Sequence, residues 1–159
     1  MYDDLLRIKA FREQNAAHAV MRQRRIVEER VQAVQQARDK ATEFHTYRVQ
    51  KEQQLFEDIK GQAVAVREIE TMKQRVATLR EQEAELESQI LAAEKQLKDA
   101  QQALEESRQQ HAETVREHEK FKQFIEIQHD AELMEKTRRE EDELEETASA
   151  GRHRNPMTE

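Results

Sequence analysis

The sequence has no cysteine and no tryptophan, and its 159 residues include only one proline and two glycines. Without a thiol the chain can form no disulfide and can offer no thiolate to a metal, which suits a reducing compartment. Two glycines are too few for a phosphate-binding loop, and no common catalytic motif is present. We therefore expect a protein that is not an enzyme and that binds no cofactor and no metal.

Apolar side chains are also scarce, since 36% of the residues are hydrophobic and 38% are charged. A compact domain of this length would need a larger apolar core, so the composition favours an elongated helical protein that buries one stripe of each helix. No apolar run approaches the ~20 residues that a membrane span needs, and the N-terminus lacks the apolar block of a signal peptide. These absences predict a soluble, intracellular protein.

The sequence does contain a long repeat, in which apolar residues recur at alternating spacings of three and four. Apart from Glu83, every position of the repeat is apolar: Ile69, Met72, Val76, Leu79, Leu86, Ile90, Ala93, Leu97, Ala100 and Leu104. The same register continues through the polar residues Ser107, His111, Thr114 and His118 to Phe121 and Ile125. A seven-residue repeat of this length, without proline or glycine, indicates a helix that packs along another helix as a coiled coil.

A second, less regular apolar stripe lies in the first part of the chain. It opens with Leu5, Leu6, Ile8 and Phe11 and continues through Val20, Val27, Val31, Val34, Ala41, Phe44, Leu55, Phe56 and Ile59. Gly61 follows Lys60, and a glycine after a basic residue is typical of a helix C-terminus. Folding the chain at this glycine sets Val34 beside Ile90, so that apolar residues of one stripe face those of the other.

The predicted fold is therefore all-α: two long helices that form an antiparallel coiled-coil hairpin, with the second helix longer. We expect helix 1 at about 3–60, a turn at about 60–65 and helix 2 at about 66–146, so that residues 1–146 form a single domain. The second helix then continues beyond its partner, either as a solvated single helix or bound to another protein. Residues 147–159 contain helix breakers and are predicted to be a disordered tail.

The net charge of −7 is carried by residues 126–146, because the rest of the chain is balanced. For the terminal end of the hairpin, the sequence predicts partner-binding residues of both signs: Arg22, Arg24, Arg25, Glu140, Glu141, Asp142 and Glu143. An acidic protein groove suits the arginines better than a nucleic acid does, since the surrounding protein is acidic and has no basic arm.

The hinge end carries a different candidate surface, formed by Phe44, Tyr47 and Met72. Phe44 lies on the apolar stripe, whereas Tyr47 lies one step off it and is harder to bury. An exposed tyrosine is a frequent contact anchor for another protein. Simple packing within the hairpin is the alternative for these side chains.

Three segments of the chain carry a family resemblance: YRVQKEQQLFEDIKGQA before the second helix, REHEKFKQFIEIQ within it and RREEDELEE near its end. In these segments, in its length and in its two-helix plan, the chain resembles the YscO/SctO family of type III secretion, which is similar in turn to the flagellar protein FliJ. The resemblance implies a cytoplasmic stalk, peripheral to the secretion apparatus at the inner membrane and inserted in the hexameric secretion ATPase. It also implies contact with the cytoplasmic ring of the export gate and binding of translocator chaperones.

Two functions remain open. The first, which the resemblance implies, is a non-enzymatic central stalk, monomeric on its own, that couples the ATPase to the export gate. The second is a structural scaffold, a parallel dimeric coiled coil that pairs with itself through residues 69–104. Molecular mass separates them, because a monomer has 18.9 kDa and a dimer has twice that mass.

Overall fold

The computed structural model describes residues 2–153, and within these residues it contains two α-helices and no β-strand. Helix α1 (Tyr2–Ile59) has 58 residues, and helix α2 (Val66–His153) has 88. The prediction of an all-α fold, with two long helices that pack against each other and a longer second helix, is confirmed.

The two helices are joined by residues 60–65, where Gly61 ends the course of α1. Gly61 has a φ of 75°, in the left-handed region that glycine enters without steric cost. The Lys60 N–H donates to the Phe56 carbonyl at 3.0 Å, and the Gln62 N–H donates to the Ile59 carbonyl at 3.2 Å. These bonds satisfy carbonyls that the end of a helix leaves without a partner.

The chain forms two compact units. The hinge unit consists of residues 17–110 and contains the turn, and the terminal unit consists of the residues up to Ala16 with those from His111 onward. The predicted division into a hairpin domain of residues 1–146 and a disordered tail of residues 147–159 stays a prediction. Helix α2 is described as far as His153, and residues 154–159 lie outside the described residues.

Within the hinge unit, α1 and α2 pack antiparallel. Side-chain hydrogen bonds join Arg30 to Gln96 and Arg38 to Glu94, each at 3.0 Å, so the residue numbers rise along α1 as they fall along α2. This direction is the one predicted from the two stripes and the intervening glycine.

Within the terminal unit, the contacts also run in opposite directions along the two helices. The rings of Tyr2 and Phe124 lie 5.8 Å apart, and Lys9 Nζ lies 3.7 Å from the Glu117 carboxylate. The antiparallel arrangement therefore holds in each unit taken by itself.

The seam, the line of residues along which the helices contact each other, follows the predicted repeat of α2. Every position of that repeat from Ile69 to Ile125 is partly or fully buried, including Glu83 and the four polar positions. The buried apolar residues among those described are Val20, Val34, Ala100 and Leu104. Complete burial of a valine or leucine contributes about 1.5–3 kcal/mol, and partial burial contributes less, so stability is the sum of many contributions along the seam.

The predicted stripe of α1 is partly wrong. Five of its apolar members, Leu5, Ile8, Phe11, Val31 and Phe56, are exposed, Phe11 to 62%. The buried and half-buried positions instead include a strict seven-residue repeat: Leu6, Glu13, Val20, Val27, Val34, Ala41, Arg48 and Leu55. A second set, which includes Phe44 and Lys51, lies three residues after these positions. A two-helix contact covers only a narrow stripe, so apolar residues outside both sets, such as Val31 and Phe56, face water, while a charged residue on them lays its aliphatic stem in the seam.

The position of the seam predicts that two valines of α1, which lie three residues apart, contribute differently to stability. Val34 is 5% exposed and Val31 is 49% exposed. We expect Val34→Ala to lower the free energy of unfolding by about 1–2 kcal/mol, because two methyl groups leave the seam. The measurement is urea unfolding followed by circular dichroism.

Val31→Ala is the matched control, since it makes the same chemical change on the solvent side of the helix. We expect it to change stability by less than about 0.5 kcal/mol, in the stabilising direction, because alanine has the higher helix propensity. Equal losses for the two variants would contradict the assignment of the seam.

Candidate protein-binding surfaces

The predicted hinge-end surface contains an exposed aromatic side chain. Tyr47 is 51% exposed, and its ring centroid lies 5.8 Å from that of Phe44, which is half-buried in the seam. Phe44 thus holds one edge of the Tyr47 ring in place while the other edge faces solvent. Because the orientation of such an exposed side chain is already restricted, it loses little conformational entropy when a partner covers it.

Tyr47 borders a groove of about 580 Å³ between the two helices, here named the Tyr47 groove. Its α1 wall consists of Tyr47, Lys51 and Leu55, and its α2 wall consists of Thr71, Gln74, Arg75, Thr78, Leu79 and Gln82. The walls thus combine apolar, amide and hydroxyl side chains with two cations and no acidic residue.

Met72, the third predicted residue of this end, lies in a smaller groove of about 300 Å³ beside the turn. This second groove shares Leu55, Thr71 and Arg75 with the Tyr47 groove. The structure therefore brings Phe44 and Tyr47 into contact and places Met72 in the adjoining groove.

A cluster of charged side chains crosses the seam at Glu83, the polar interruption of the apolar repeat. The Glu83 carboxylate forms an ion pair with Arg48, and His45 Nδ1 lies 2.5 Å from Glu83 Oε1. Arg48 also lies 3.0 Å from Glu52, and Arg80 Nε of α2 donates a 3.1 Å hydrogen bond to Glu52. Three of these contacts link the two helices, and the fourth, between Arg48 and Glu52, lies within α1.

These contacts favour the ionised forms of the Glu83 and Glu52 carboxyl groups. The hydrogen bond from His45, with the nearby charge of Arg48, holds the pKa of Glu83 below its ordinary value of 4.5 against the opposing effect of partial burial. The hydrogen bond from Arg80, followed by that from Arg48, lowers the pKa of Glu52. The hydrogen bond to Glu52 raises the pKa of Arg48. All three groups therefore stay charged at neutral pH.

The apolar repeat of α2 marks Glu83 as an interruption, but the residues of α1 that face it were not predicted. The signal was present in α1, where steps of seven residues lead from Val34 through Ala41 to Arg48. Lys51 and Arg75 were not predicted either, because neither belongs to an apolar pattern: Lys51 is a cation seven residues after Phe44, and Arg75 lies next to the repeat of α2.

At the terminal unit, three aromatic rings and a cation pack together. Tyr2 meets Phe121 and Phe124 edge to face at 6.4 and 5.8 Å, and Lys9 Nζ lies 6.0 Å from the centroid of the Phe121 ring. Exposed apolar residues of both helices, Leu5, Ile8, Phe124 and Ile127, belong to the same unit. This unit therefore offers apolar contact area as well as charge.

The charged residues predicted to bind partners are all exposed. Arg22, Arg24 and Arg25 belong to the hinge unit, whereas Glu140, Glu141, Asp142 and Glu143 belong to the terminal unit. The acidic residues lie on the acidic arm, defined here as residues 129–152, in which every side chain is exposed. Tyr2 and Asp3 of α1 line a shallow groove with His129 and Glu132 at the start of this arm.

Within residues 2–153, neither helix contains a stretch apolar enough to cross a membrane. Among the described side chains, histidine and acidic residues form no group of three that could hold a metal ion.

The Glu83 cluster predicts a specific dependence of stability on pH. Because the pKa of Glu83 is lowered by folding, its contribution is fully present above the ordinary value of 4.5 and is lost as the pH falls through the lowered, folded-state value. We expect the urea midpoint of the wild-type protein to fall between about pH 5 and about pH 3, and that of Glu83→Gln to fall less.

Glu81→Gln is the matched control, since Glu81 is exposed and lies on the same helix two residues earlier. Its midpoint should follow that of the wild-type protein at each pH. If Glu83→Gln also followed the wild-type protein, the cluster would make no contribution to stability.

Comparison with known proteins places this architecture in a family. The family model described as "Type III secretion protein YscO" matches residues 2–150. A solved structure, the 2.8 Å crystal structure of type III secretion protein YscO from Vibrio parahaemolyticus, is similar with a TM-score of 0.86 and 31% sequence identity, over 92% of each chain. The curated proteins include no match. Because the family match spans nearly all of the described residues, the chain belongs to the YscO family of type III secretion proteins.

Proposed function

We propose that this protein is the central stalk of a type III secretion ATPase complex. It couples the hexameric ATPase to the cytoplasmic ring of the export gate, binds translocator chaperones and catalyses no reaction itself. It acts as a monomer in the cytoplasm, peripheral to the apparatus at the inner membrane. Family membership supports a role in type III secretion. The exposed acidic arm is the observation that supports the more specific role of a central stalk.

The acidic arm has the properties of a segment that works in contact with a partner. A single helix in water gains little stability without packing, and in this arm every side chain is exposed. Its exposed apolar residues, Leu133, Met134 and Leu144, lie among many carboxylates. A ring of ATPase subunits with basic residues facing its pore would supply the complementary charge.

The arginines of α1 are proposed to meet acidic residues at the rim of the same ring. Arg22, Arg24 and Arg25 are exposed, and none of them forms an ion pair among the described residues. Exposed ion pairs contribute about 0–1 kcal/mol each and weaken as salt is added. Several weak contacts of this kind suit a shaft that must not lock in one orientation.

The hinge end is proposed to face the export gate or a chaperone. Its support is the Tyr47 ring, which is half exposed, in contact with Phe44 and next to a groove of about 580 Å³. Met72 extends this surface towards the turn. Tyrosine is frequent at the centres of protein interfaces because its ring offers both apolar area and a hydroxyl group.

The second candidate, a parallel dimeric scaffold, needs residues 69–104 to pair with a second copy. In the structure α1 occupies that face of α2, from Val20 beside the end of the repeat to Leu55 near its start. A dimer would have to displace α1 and expose its buried valines. A solution mass of twice 18.9 kDa at micromolar concentration would favour the scaffold.

The stalk proposal predicts that the acidic arm stimulates the partner ATPase through its charge. We expect the full-length protein to raise ATP hydrolysis by the hexamer, and a truncation after Gln128 to lose most of this effect. The quadruple variant Glu140→Gln, Glu141→Gln, Asp142→Asn, Glu143→Gln should lower stimulation severalfold. Stimulation by the wild-type protein should also fall as salt rises from about 50 to about 300 mM.

The matched control is a quadruple variant of exposed acidic residues in the hinge unit: Glu43→Gln, Glu87→Gln, Asp99→Asn and Glu106→Gln. It removes the same charge and should stimulate as the wild-type protein does. If the truncated protein stimulated equally and salt had no effect, the arm would not be the coupling surface.

The hinge-end proposal predicts that Tyr47→Ala weakens binding to the isolated export-gate ring or to a translocator chaperone. Removing a central tyrosine from an interface typically costs about 2 kcal/mol, which is roughly thirtyfold in affinity. The measurement is isothermal titration calorimetry, with circular dichroism to show that helicity is intact.

Val49→Ala serves as the control, because Val49 is also exposed but lies two residues away, on a different face of α1. It should bind each partner with unchanged affinity. Unchanged binding of Tyr47→Ala to the gate ring and to every chaperone tested would remove the hinge end from the interface.

A further inference from the structure

The Tyr47 groove carries positive charge that the hinge unit leaves without a counter-charge. Lys51 of α1 and Arg75 of α2 line it, and no acidic residue does. Within residues 2–153 neither cation forms an ion pair, whereas the nearby Arg48 and Arg80 are both paired with carboxylates. The groove is therefore an electrostatic site for an anionic group.

The groove also has apolar area between its two cations. Leu55 and Leu79 are half-buried at the seam, and the exposed Tyr47 ring stands at one edge. A small anion would leave this apolar area in water. The combination fits a peptide that presents apolar and acidic side chains together.

The shape of the groove suits the binding of a helix. Its wall residues follow helical spacing on both sides: Tyr47, Lys51 and Leu55 on α1, and Thr71, Arg75, Thr78 and Gln82 on α2. The groove thus runs along the helices, as does the groove between two helices that receives the side chains of a third.

The charge of the surface changes sign along this direction. At Thr78 and Gln82 the groove continues into a shallow surface that is lined by Glu81, Glu85 and Leu86. Between Thr71 and Glu85 the surface is therefore positive at Lys51 and Arg75 and negative at Glu81 and Glu85. The acidic residues Asp58 and Glu68 lie outside this stretch, in the smaller groove beside the turn. From Thr71 to Glu85 the distance along α2 is about 21 Å, the length of roughly four helical turns.

We propose that the Tyr47 groove binds an amphipathic helix of a partner protein, with the acidic end of that helix over Lys51 and Arg75 and its basic end over Glu81 and Glu85. This inference rests on the proposed function, in which the hinge end binds another protein. An acidic first half is also favourable within the partner helix itself, because carboxylates stabilise the N-terminus of a helix.

The test uses the full-length protein, labelled with ¹⁵N, and a synthetic peptide of about fourteen residues. The peptide has leucines on one face, glutamates in its first half and lysines in its second half, and it carries a nitroxide at one end or the other. With the nitroxide at the acidic end, the amide signals of Thr71 and Arg75 should broaden more than that of Glu85. With the nitroxide at the basic end, the order should reverse.

The double variant Lys51→Glu, Arg75→Glu should bind the peptide about tenfold more weakly, since two attractions become repulsions. The matched control is Lys95→Glu, Lys98→Glu, which changes the net charge equally at exposed positions outside the groove and should leave affinity unchanged. Equal weakening in both variants, or broadening without regard to the position of the nitroxide, would overturn the inference.

This assay contains no ATPase and no gate, so its failure would not contradict the stalk proposal. In the same way, loss of ATPase coupling would not contradict peptide binding in the Tyr47 groove.

Discussion

The packing of α1 against α2 depends on a seven-residue repeat that buries only one narrow stripe of each helix. Four apolar residues are buried among those described, and the rest of the seam is half-buried. No single contact dominates such a structure, because each partial burial contributes on the order of 1 kcal/mol or less and the sum runs along both helices. A seam of this kind tolerates polar interruptions that a compact core would not.

Polar residues in the seam need hydrogen-bond or ion-pair partners, because a buried polar group without a partner costs about 1–3 kcal/mol. Glu83 meets Arg48 and His45, and His118 meets Glu13 across the terminal unit. A shift of the helices by one repeat would place Ala41 or Leu55 where Arg48 now stands, and Glu83 would lose its counter-charge. The apolar residues alone would allow several registers of similar stability, and the polar interruptions help to select one of them.

The narrow seam also leaves most of the helical surface for other proteins. The Tyr47 groove combines the repeat residues Leu55 and Leu79 with exposed residues next to the repeat, such as Tyr47 and Arg75. In the acidic arm every side chain is exposed. In a protein of the YscO family, such surfaces are where contacts with the rest of the secretion apparatus would be sought.

The α2 seam from Ile69 to Ile125 could be predicted because periodicity is a local property of the chain, and a helix with a sustained seven-residue repeat has one possible buried face. The all-α class, the longer second helix and the exposure of Tyr47 followed from the same kind of reasoning. The α1 seam was harder, because apolar residues such as Phe11 and Val31 lie off the repeat while Glu13 and Arg48 lie on it. Only the tertiary structure decided that Arg48 faces Glu83 and that Lys51 and Arg75 line one groove. Those neighbours come from distant parts of the chain, and their meeting depends on the register between two helices, which no local pattern records.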